Sequence, residues 1–586
     1  MPDGAAAPTL LDRLLRPDRS DAGAVRVDLW WLIGLACLLI GAGLGLRDPW
    51  PADEPRFALI ARDMLATGDW FVPRVAGDLY AQKPPLYFWL MAASMALTGS
   101  LRVGFLLPSL IAGIGTVLLV YDLLRRARGR EVALAGALML LATFQFTWQA
   151  RQAQIDATLC FLTTLSLYGL VRHLLVAPAR GWYVAGWAAA GIGVITKGVG
   201  FLPLLALLPA GVLAARGWPL AGRITRALAI LGPVAMLAAI AIWFVPMWLV
   251  TASGGELLDY RNELLFHQTV TRYADAWHHK EPAWYYLTSV IPVLWLPLIA
   301  LVPWLWPRWR GALRARDTLT AVLLAWVLIV LAFFSASSGK RGLYILPALP
   351  ALAMAAAPWL SELLRARGPR RLIFALAVLV AGVVAAVAAY VALGGEGAER
   401  RIAQTVADPL APLTLLALSC GAVLTVFRLR DAWLAWIGTL ASAMLVAGVL
   451  IYPRIDATRS GRAFVETLER IAPRGTEVGF VDLREQFALQ LERPSVHFGR
   501  PRRPDYERET ADAALWLSQD SNRALVVGSR VREPCFARMR TEPLGHWHRE
   551  DWFLVRGAPD PRCVLRGDLG TTRWYVPPKG ALNTDS

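Results

Sequence analysis

Apolar runs long enough to cross a bilayer recur along this chain from Leu29 to Tyr452, and this repetition limits the fold more than any other feature. Spanning roughly 30 Å of hydrocarbon takes about 20 apolar residues in a helix. The runs are continuous rather than alternating, which predicts helices. Composition agrees, because 56% of the 586 residues are hydrophobic and 18% charged, leaving too little polar surface for soluble domains of this size. Met1–Arg26 and Pro453–Ser586 are polar. The expected organisation is an N-terminal cytoplasmic segment at 1–28, a membrane domain at 29–452 and a C-terminal domain at 453–586.

The net charge of +16 is gathered in short arginine blocks between apolar runs, at 13–26, 125–130, 172–180, 216–226, 308–316, 365–371 and 428–430. Such blocks are topology signals, since basic loops stay cytoplasmic. No domain interleaves basic residues with exposed aromatics, so nucleic acid is not the expected partner. One run, Pro85–Gly99, is short and opens on a Pro-Pro pair. If it does not span, every arginine block falls on the cytoplasmic side; if it does, the block at 125–130 and all later ones fall outside. The sequence therefore predicts thirteen spans, from 29–46 to 431–452, with a cytoplasmic N-terminus and an exported C-terminus. Leu29–Leu46 lacks a cleavage signal and is expected to remain as an anchor.

This topology puts 47–100, 150–156, 251–283, 337–341 and a turn at Thr196–Gly198 on the outer face. Of the 60 basic side chains only Lys83, Lys197, Lys280, Lys340 and Lys579 are lysines, and the first four fall in separate outer loops. A compact ammonium in place of a guanidinium suits a phosphate held as a point charge. Lysines also snorkel at the ends of spans, which is the plain alternative for each one.

In the first outer loop, Asp53-Glu54-Pro55-Arg56 opens a segment whose apolar residues at 57, 60, 61, 64 and 65 predict a helix lying on or near the membrane. Taken alone, the acidic pair reads as a helix cap with proline in the first turn. Gly68-Asp69-Trp70 and then Tyr80-Ala81-Gln82-Lys83-Pro84-Pro85 follow in the same loop, bringing aromatics and a cation near the pair.

These segments, together with Arg151-Gln152-Ala153-Gln154-Ile155-Asp156, Thr196-Lys197-Gly198, Glu281-Pro282-Ala283-Trp284-Tyr285-Tyr286 and Phe334–Pro347, resemble the aminoarabinose transferase and protein mannosyltransferase families in content and order over roughly 30–360. The resemblance implies the GT-C architecture: an all-α polytopic membrane domain with its active site on the periplasmic side of a bacterial inner membrane. It implies an inverting transfer of a sugar from a polyprenyl (undecaprenyl) phosphate carrier, not from a nucleotide sugar, to lipid A, protein or an envelope glycan. The sugar is expected to be 4-amino-4-deoxy-L-arabinose or another pentose or hexose. Asp53, shared with Glu54, is then the expected catalytic carboxylate. Arg56, Lys83, Arg272 and Tyr344 are the expected ligands of the donor phosphate, and Asp156, Lys197, Tyr80 and Lys340 position the site, Asp156 and Lys197 as a buried pair because an isolated charge near the bilayer is costly, with Arg341 as a stand-in for Lys340. The outer-face cavity is expected to open sideways to lipid.

Relatives carry a glutamate just before the Lys-Pro segment that is associated with a metal, whereas this chain has Gln82, a poor ligand. No metal and no further cofactor are therefore expected, and His267, His278 and His279 are read as packed loop residues. The rival class is a lipid or sugar transporter, which would place charge near the bilayer midplane and show paired broken helices; here the unusual charges sit at the outer ends of spans and no repeat is visible. In the tail, Ala463–Ile471 reads as a helix and Glu477–Val481, Ala524–Val527 and Trp552–Val555 as strands of a small α/β domain. Pro501–Glu509 reads as a solvated loop and Thr571–Ser586 as disordered. Cys535 and Cys563 are able to pair if the tail is exported.

Overall fold

The structure is a computed structural model and describes residues 22–265, 280–395, 406–499, 505–532, 535–547 and 550–578. Among them, eight helices are long and apolar enough to cross a membrane, and ten if each of two bent pairs counts as one span. The other three expected spans are also helical, at Arg180–Val194, Ala348–Arg365 and Leu410–Val426. Ala348–Arg365 is buried along most of its length, so it meets other helices rather than lipid. Its alanine-rich face allows that close approach.

The two bent pairs, Arg130–Ala142 with Phe144–Ala150 (68°) and Tyr286–Leu294 with Ile299–Arg314 (101°), meet at their breaks. Phe144 N donates to Leu296 O at 3.0 Å. Trp295 Nε1 donates to Gln145 Oε1 at 2.6 Å, and Gln145 Nε2 to Gly342 O at 2.7 Å. Non-helical backbone at membrane depth survives only when protein satisfies its polar groups, and here each break serves the other.

Polar contacts gather at two opposite ends of the bundle. At one end Arg130 pairs with Asp28, Arg308 with Glu362, Arg128 with Asp317, and Thr318 donates to Pro219 O. All these residues lie in segments expected on the cytoplasmic side or at the ends of spans that meet them. At the other end Arg102 Nε meets Asp48 Oδ1 at 2.8 Å, so the first outer loop begins and ends on the same face. The helix Leu86–Thr98 inside that loop therefore does not cross, as the arginine blocks required.

The C-terminal domain holds a six-stranded sheet in the order β6-β7-β5-β3-β4-β8, where β3 is Glu477–Val481, β4 Ser495–Phe498, β5 Arg523–Gly528, β6 Arg540–Trp547, β7 Glu550–Arg556 and β8 Thr572–Tyr575. (β1, Arg74–Val75, and β2, Asp78–Leu79, form a separate hairpin in the first outer loop.) Strands β3, β4 and β5 are parallel, β7 and β8 flank them antiparallel, and β6 pairs antiparallel with β7 at the edge. The expected helix and three strands are present, and two expectations are corrected. Residues 505–509 are not a solvated loop: Asp505 caps the helix Tyr506–Ser518, and Glu509 is buried at 1% exposure. Nor is Thr571–Tyr575 disordered, because β8 pairs with β4 and buries Tyr575. Residues 500–504 and 579–586, including Lys579, lie outside the described residues. Cys535 and Cys563 are joined in a disulfide.

The helix Glu54–Thr67 does not lie on the membrane. Every residue from Glu54 to Met64 is buried, because its second face packs on the C-terminal domain. Arg62 Nη1 donates to Leu489 O at 2.6 Å, and its Nη2 reaches Tyr575 Oη. The charged face that looked suited to water is covered by protein.

Candidate active site

Asp53 stands at the N-cap of Glu54–Thr67, yet its carboxylate makes no capping hydrogen bond. It is turned instead to two arginines. Arg341 Nη1 lies 3.1 Å from Oδ2, and Arg56 Nη1 lies 3.0 Å from Oδ1. Burial favours the neutral acid, but Arg341, Arg56 and Lys83 outweigh it and hold the carboxyl below its ordinary range. Asp53 is thus ionised at neutral pH. Arg341 was expected only as a stand-in for Lys340, and the structure gives it the leading place: its side chain is 35% exposed, against 6% for Arg56.

Glu54 departs from the expectation of a shared catalytic role. Its Oε1 accepts from Arg47 Nη2 at 2.8 Å and from Ala153 N at 3.0 Å, while Oε2 accepts from Arg47 Nη1 and from Trp50 N at 3.0 Å. Both oxygens are committed, so Glu54 ties the first outer loop to the segment before Asp156. Arg151 of that segment is structural too, donating to the carbonyls of Leu39, Ala42 and Met444. Lys340 is likewise spent on backbone, giving hydrogen bonds to Ser337 O at 2.6 Å and Glu281 O at 2.8 Å. It thereby joins two outer segments and leaves the neighbouring Arg341 to face Asp53.

Asp156 and Lys197 form the expected buried pair, Oδ1 to Nζ 2.6 Å, with side chains 11% and 13% exposed. Lys197 reaches it from a tight turn: a Cβ at Gly200 would sit 2.0 Å from the carbonyl carbon of Gly193, so the two arms can close only with glycine there. The Lys197 ammonium also lies 4.2 Å from the ring centre of Tyr344. Leu86 N donates to Ile195 O at 3.3 Å, which docks the Lys83-Pro84-Pro85 segment on the same turn. Arg341 joins the two halves electrostatically, feeling Asp53, Tyr344 and Asp156. Tyr80 is buried edge-on to Phe88 and acts on Arg56.

Arg56 is more constrained than a free phosphate ligand. Besides Asp53 it meets Glu485 of the C-terminal domain, with Nε at 2.8 Å and Nη2 at 2.7 Å from Oε1. Neither Glu485 nor the lead of Arg341 over Lys340 was foreseen, since both depend on contacts remote in sequence. Arg272, His267, His278 and His279 lie outside the described residues. Among the described residues no three His, Cys, Asp or Glu side chains come together as metal ligands.

Residues 82–248 match the sequence model of the family described as dolichyl-phosphate-mannose-protein mannosyltransferase. The undecaprenyl phosphate-α-4-amino-4-deoxy-L-arabinose arabinosyl transferase of Pseudomonas aeruginosa is 35% identical over 333 residues, covering 54% of this chain and 58% of that protein. A similarly named protein from Pseudomonas fluorescens, arabinosyl transferase 1, is 34% identical over 366 residues, covering 60% and 64%. The match therefore spans about three fifths of these relatives' length. The crystal structure of ArnT from Cupriavidus metallidurans bound to undecaprenyl phosphate superposes with a TM-score of 0.71 at 23% identity, over 91% of this chain and 98% of that one. The chain shares the fold of that structure, and the resemblance to the aminoarabinose transferase and protein mannosyltransferase families drawn from the ordered motifs holds.

Proposed function

We propose that this chain is a membrane glycosyltransferase that moves 4-amino-4-deoxy-L-arabinose from undecaprenyl phosphate to a phosphate group of lipid A, on the periplasmic side of a bacterial inner membrane. The observation that carries the reading is Asp53, a buried carboxylate held ionised by Arg341, Arg56 and Lys83 at the face where the outer loops converge. Similarity in sequence to the arabinosyl transferases supplies the donor class.

In the reaction an acceptor oxygen attacks the anomeric carbon, the bond from that carbon to the carrier phosphate breaks, and polyprenyl phosphate leaves with the electron pair. Cations facing the leaving phosphate stabilise its growing charge. Lys83 and Arg341 supply that charge, with Arg272 a third candidate by similarity. The low pKa of Asp53 bears on the acceptor. General-base help to a hydroxyl is most efficient when the base has a pKa near the working pH, and Asp53 is displaced the other way. An acceptor phosphate is already ionised and needs no base, so Asp53 is left to orient the cations around it.

The disulfide between Cys535 and Cys563 suits an oxidising compartment and supports an exported C-terminal domain. Two bent helix pairs are present, but their breaks are filled by uncharged groups of each other and of Gly342, and the described unusual charges lie at the outer ends of helices rather than at mid-depth, which disfavours a transporter. No metal is assigned a part, since Gln82 stands where a relative's metal-linked glutamate would be.

The test is transfer by the purified protein in detergent, with the undecaprenyl-phosphate-linked aminosugar as donor and lipid A, dephosphorylated lipid A or a serine-containing peptide as acceptor. Mass-detected product with lipid A alone, lost in folded Asp53→Asn and Lys83→Ala, supports the reading. Product with the peptide overturns the acceptor, and unimpaired variants overturn the site.

A further inference from the structure

Glu485 opens a short helix, Glu485–Ala488, in the C-terminal domain and sits 429 residues beyond Arg56 in sequence. Its Oε1 takes both Nε–H and Nη2–H of Arg56, while Nη1 of the same guanidinium donates to Asp53 Oδ1. The side chains of Arg56, Glu485 and Asp53 are 6%, 14% and 17% exposed, so water screens this chain of contacts poorly. A guanidinium is planar, and fixing one edge fixes where the remaining N–H bonds point. Glu485 thus sets which face of Arg56 is offered to Asp53. It also offsets one of the three cations acting on Asp53, namely Arg341, Arg56 and Lys83.

We infer that Glu485 is a positioning residue for the transfer reaction, acting through Arg56 on Asp53, so that the C-terminal domain completes the catalytic unit. The inference rests on the function proposed above. It has two consequences of opposite sign. Neutralising Glu485 releases the orientation of Arg56 and slows turnover. The same change leaves the site more positive and frees N–H donors, so an anionic lipid phosphate binds as well as before or better. Damage to the interface alone would weaken both.

The test uses the full-length protein in lipid nanodiscs as wild type, Glu485→Gln, Glu485→Asp and Arg62→Met. Arg62→Met removes a different contact to the same domain, the one to Leu489 O and Tyr575, without touching Asp53. Binding of undecaprenyl phosphate is measured by calorimetry, turnover by sugar transfer, and folding by thermal unfolding. Glu485→Gln is expected to lose roughly tenfold to a hundredfold in kcat, the scale of a small misplacement of a reacting group, while its affinity for undecaprenyl phosphate is unchanged or higher. Glu485→Asp is expected to recover part of kcat, and Arg62→Met to keep it. Wild-type kcat in Glu485→Gln, or parallel loss of binding and kcat in Glu485→Gln and Arg62→Met, overturns the inference and leaves the proposed function standing. A wild-type protein that transfers from no polyprenyl donor removes both.

Discussion

Arg341 reaches back 288 residues to place Nη1 3.1 Å from Oδ2 of Asp53, and this contact joins the outer segment 337–341 to the first outer loop. Of the cations acting on Asp53 it ranks first in electrostatic effect, ahead of Arg56 and Lys83. The contact lowers the pKa of the acid, so the charged form persists to lower pH than for an ordinary aspartate. Replacing Arg341 with methionine removes that support and the folded-state pKa rises. The acid limb of the pH–rate profile is then expected to move to higher pH, and Arg341→Lys to restore part of it. An acid limb that stays in place in Arg341→Met would show that Asp53 does not govern it.

Asp156 and Lys197 make a different kind of contact, a buried pair with little solvent on either side. Losing one partner leaves the other charge uncompensated, which costs about 3–5 kcal/mol, whereas losing both costs much less. Lys197→Met is expected to lower the unfolding temperature in detergent strongly. The double variant Asp156→Asn with Lys197→Met should regain most of the loss. Additive losses would mean that the pair does not stabilise the fold as a unit.

The adjacent acids Asp53 and Glu54 separate two roles that the sequence could not. Glu54 holds Arg47, Trp50 N and Ala153 N, while Asp53 faces the cations of the site. Glu54→Gln is therefore expected to lower stability by a few kcal/mol, on the scale of breaking a buried ion pair, and to lower activity only as folded protein is lost. Asp53→Asn should abolish turnover in the molecules that remain folded, whatever loss of its pairs with Arg341 and Arg56 costs in unfolding temperature. Activity per folded molecule, measured after size-exclusion chromatography, distinguishes the two.

Much of the topology was legible because charge placement obeys a rule independent of tertiary structure. The arginine blocks alone showed that Pro85–Gly99 does not span, and the Asp48–Arg102 contact agrees. The Asp156–Lys197 pair was legible because a lone charge at such a depth is expensive. The exchange of roles between Lys340 and Arg341 was not, since it turns on the carbonyls of Ser337 and Glu281. Burial of Glu54–Thr67 was missed for a related reason. A helix with Arg56, Arg62 and Asp63 on one face has the pattern of a water-facing surface, and only the docked C-terminal domain reveals that the face is covered. Strand β8 was missed because four residues near a chain end carry almost no periodic signal.

That covered face leads to a pH dependence of the opposite sign to Asp53. Burial raises the Asp63 carboxyl to about 6, against the lowering influence of Arg62 and Tyr575. The folded state therefore binds a proton more tightly than the unfolded chain, and ionising Asp63 costs stability as pH rises from the ordinary aspartate range through about 6. By linkage the cost at neutral pH is on the order of 3 kcal/mol. Asp63→Asn keeps the shape and removes the charge, so it is expected to be more stable than wild type above pH 7, by up to that amount. The difference should shrink as pH falls through 6 and vanish near pH 4. Thermal unfolding of both proteins across this range measures it, and comparing them at each pH cancels the titration of every other group. A variant less stable than wild type at pH 7.5 would instead show that the ionised carboxylate, paired with Arg62, holds the C-terminal domain on the helix.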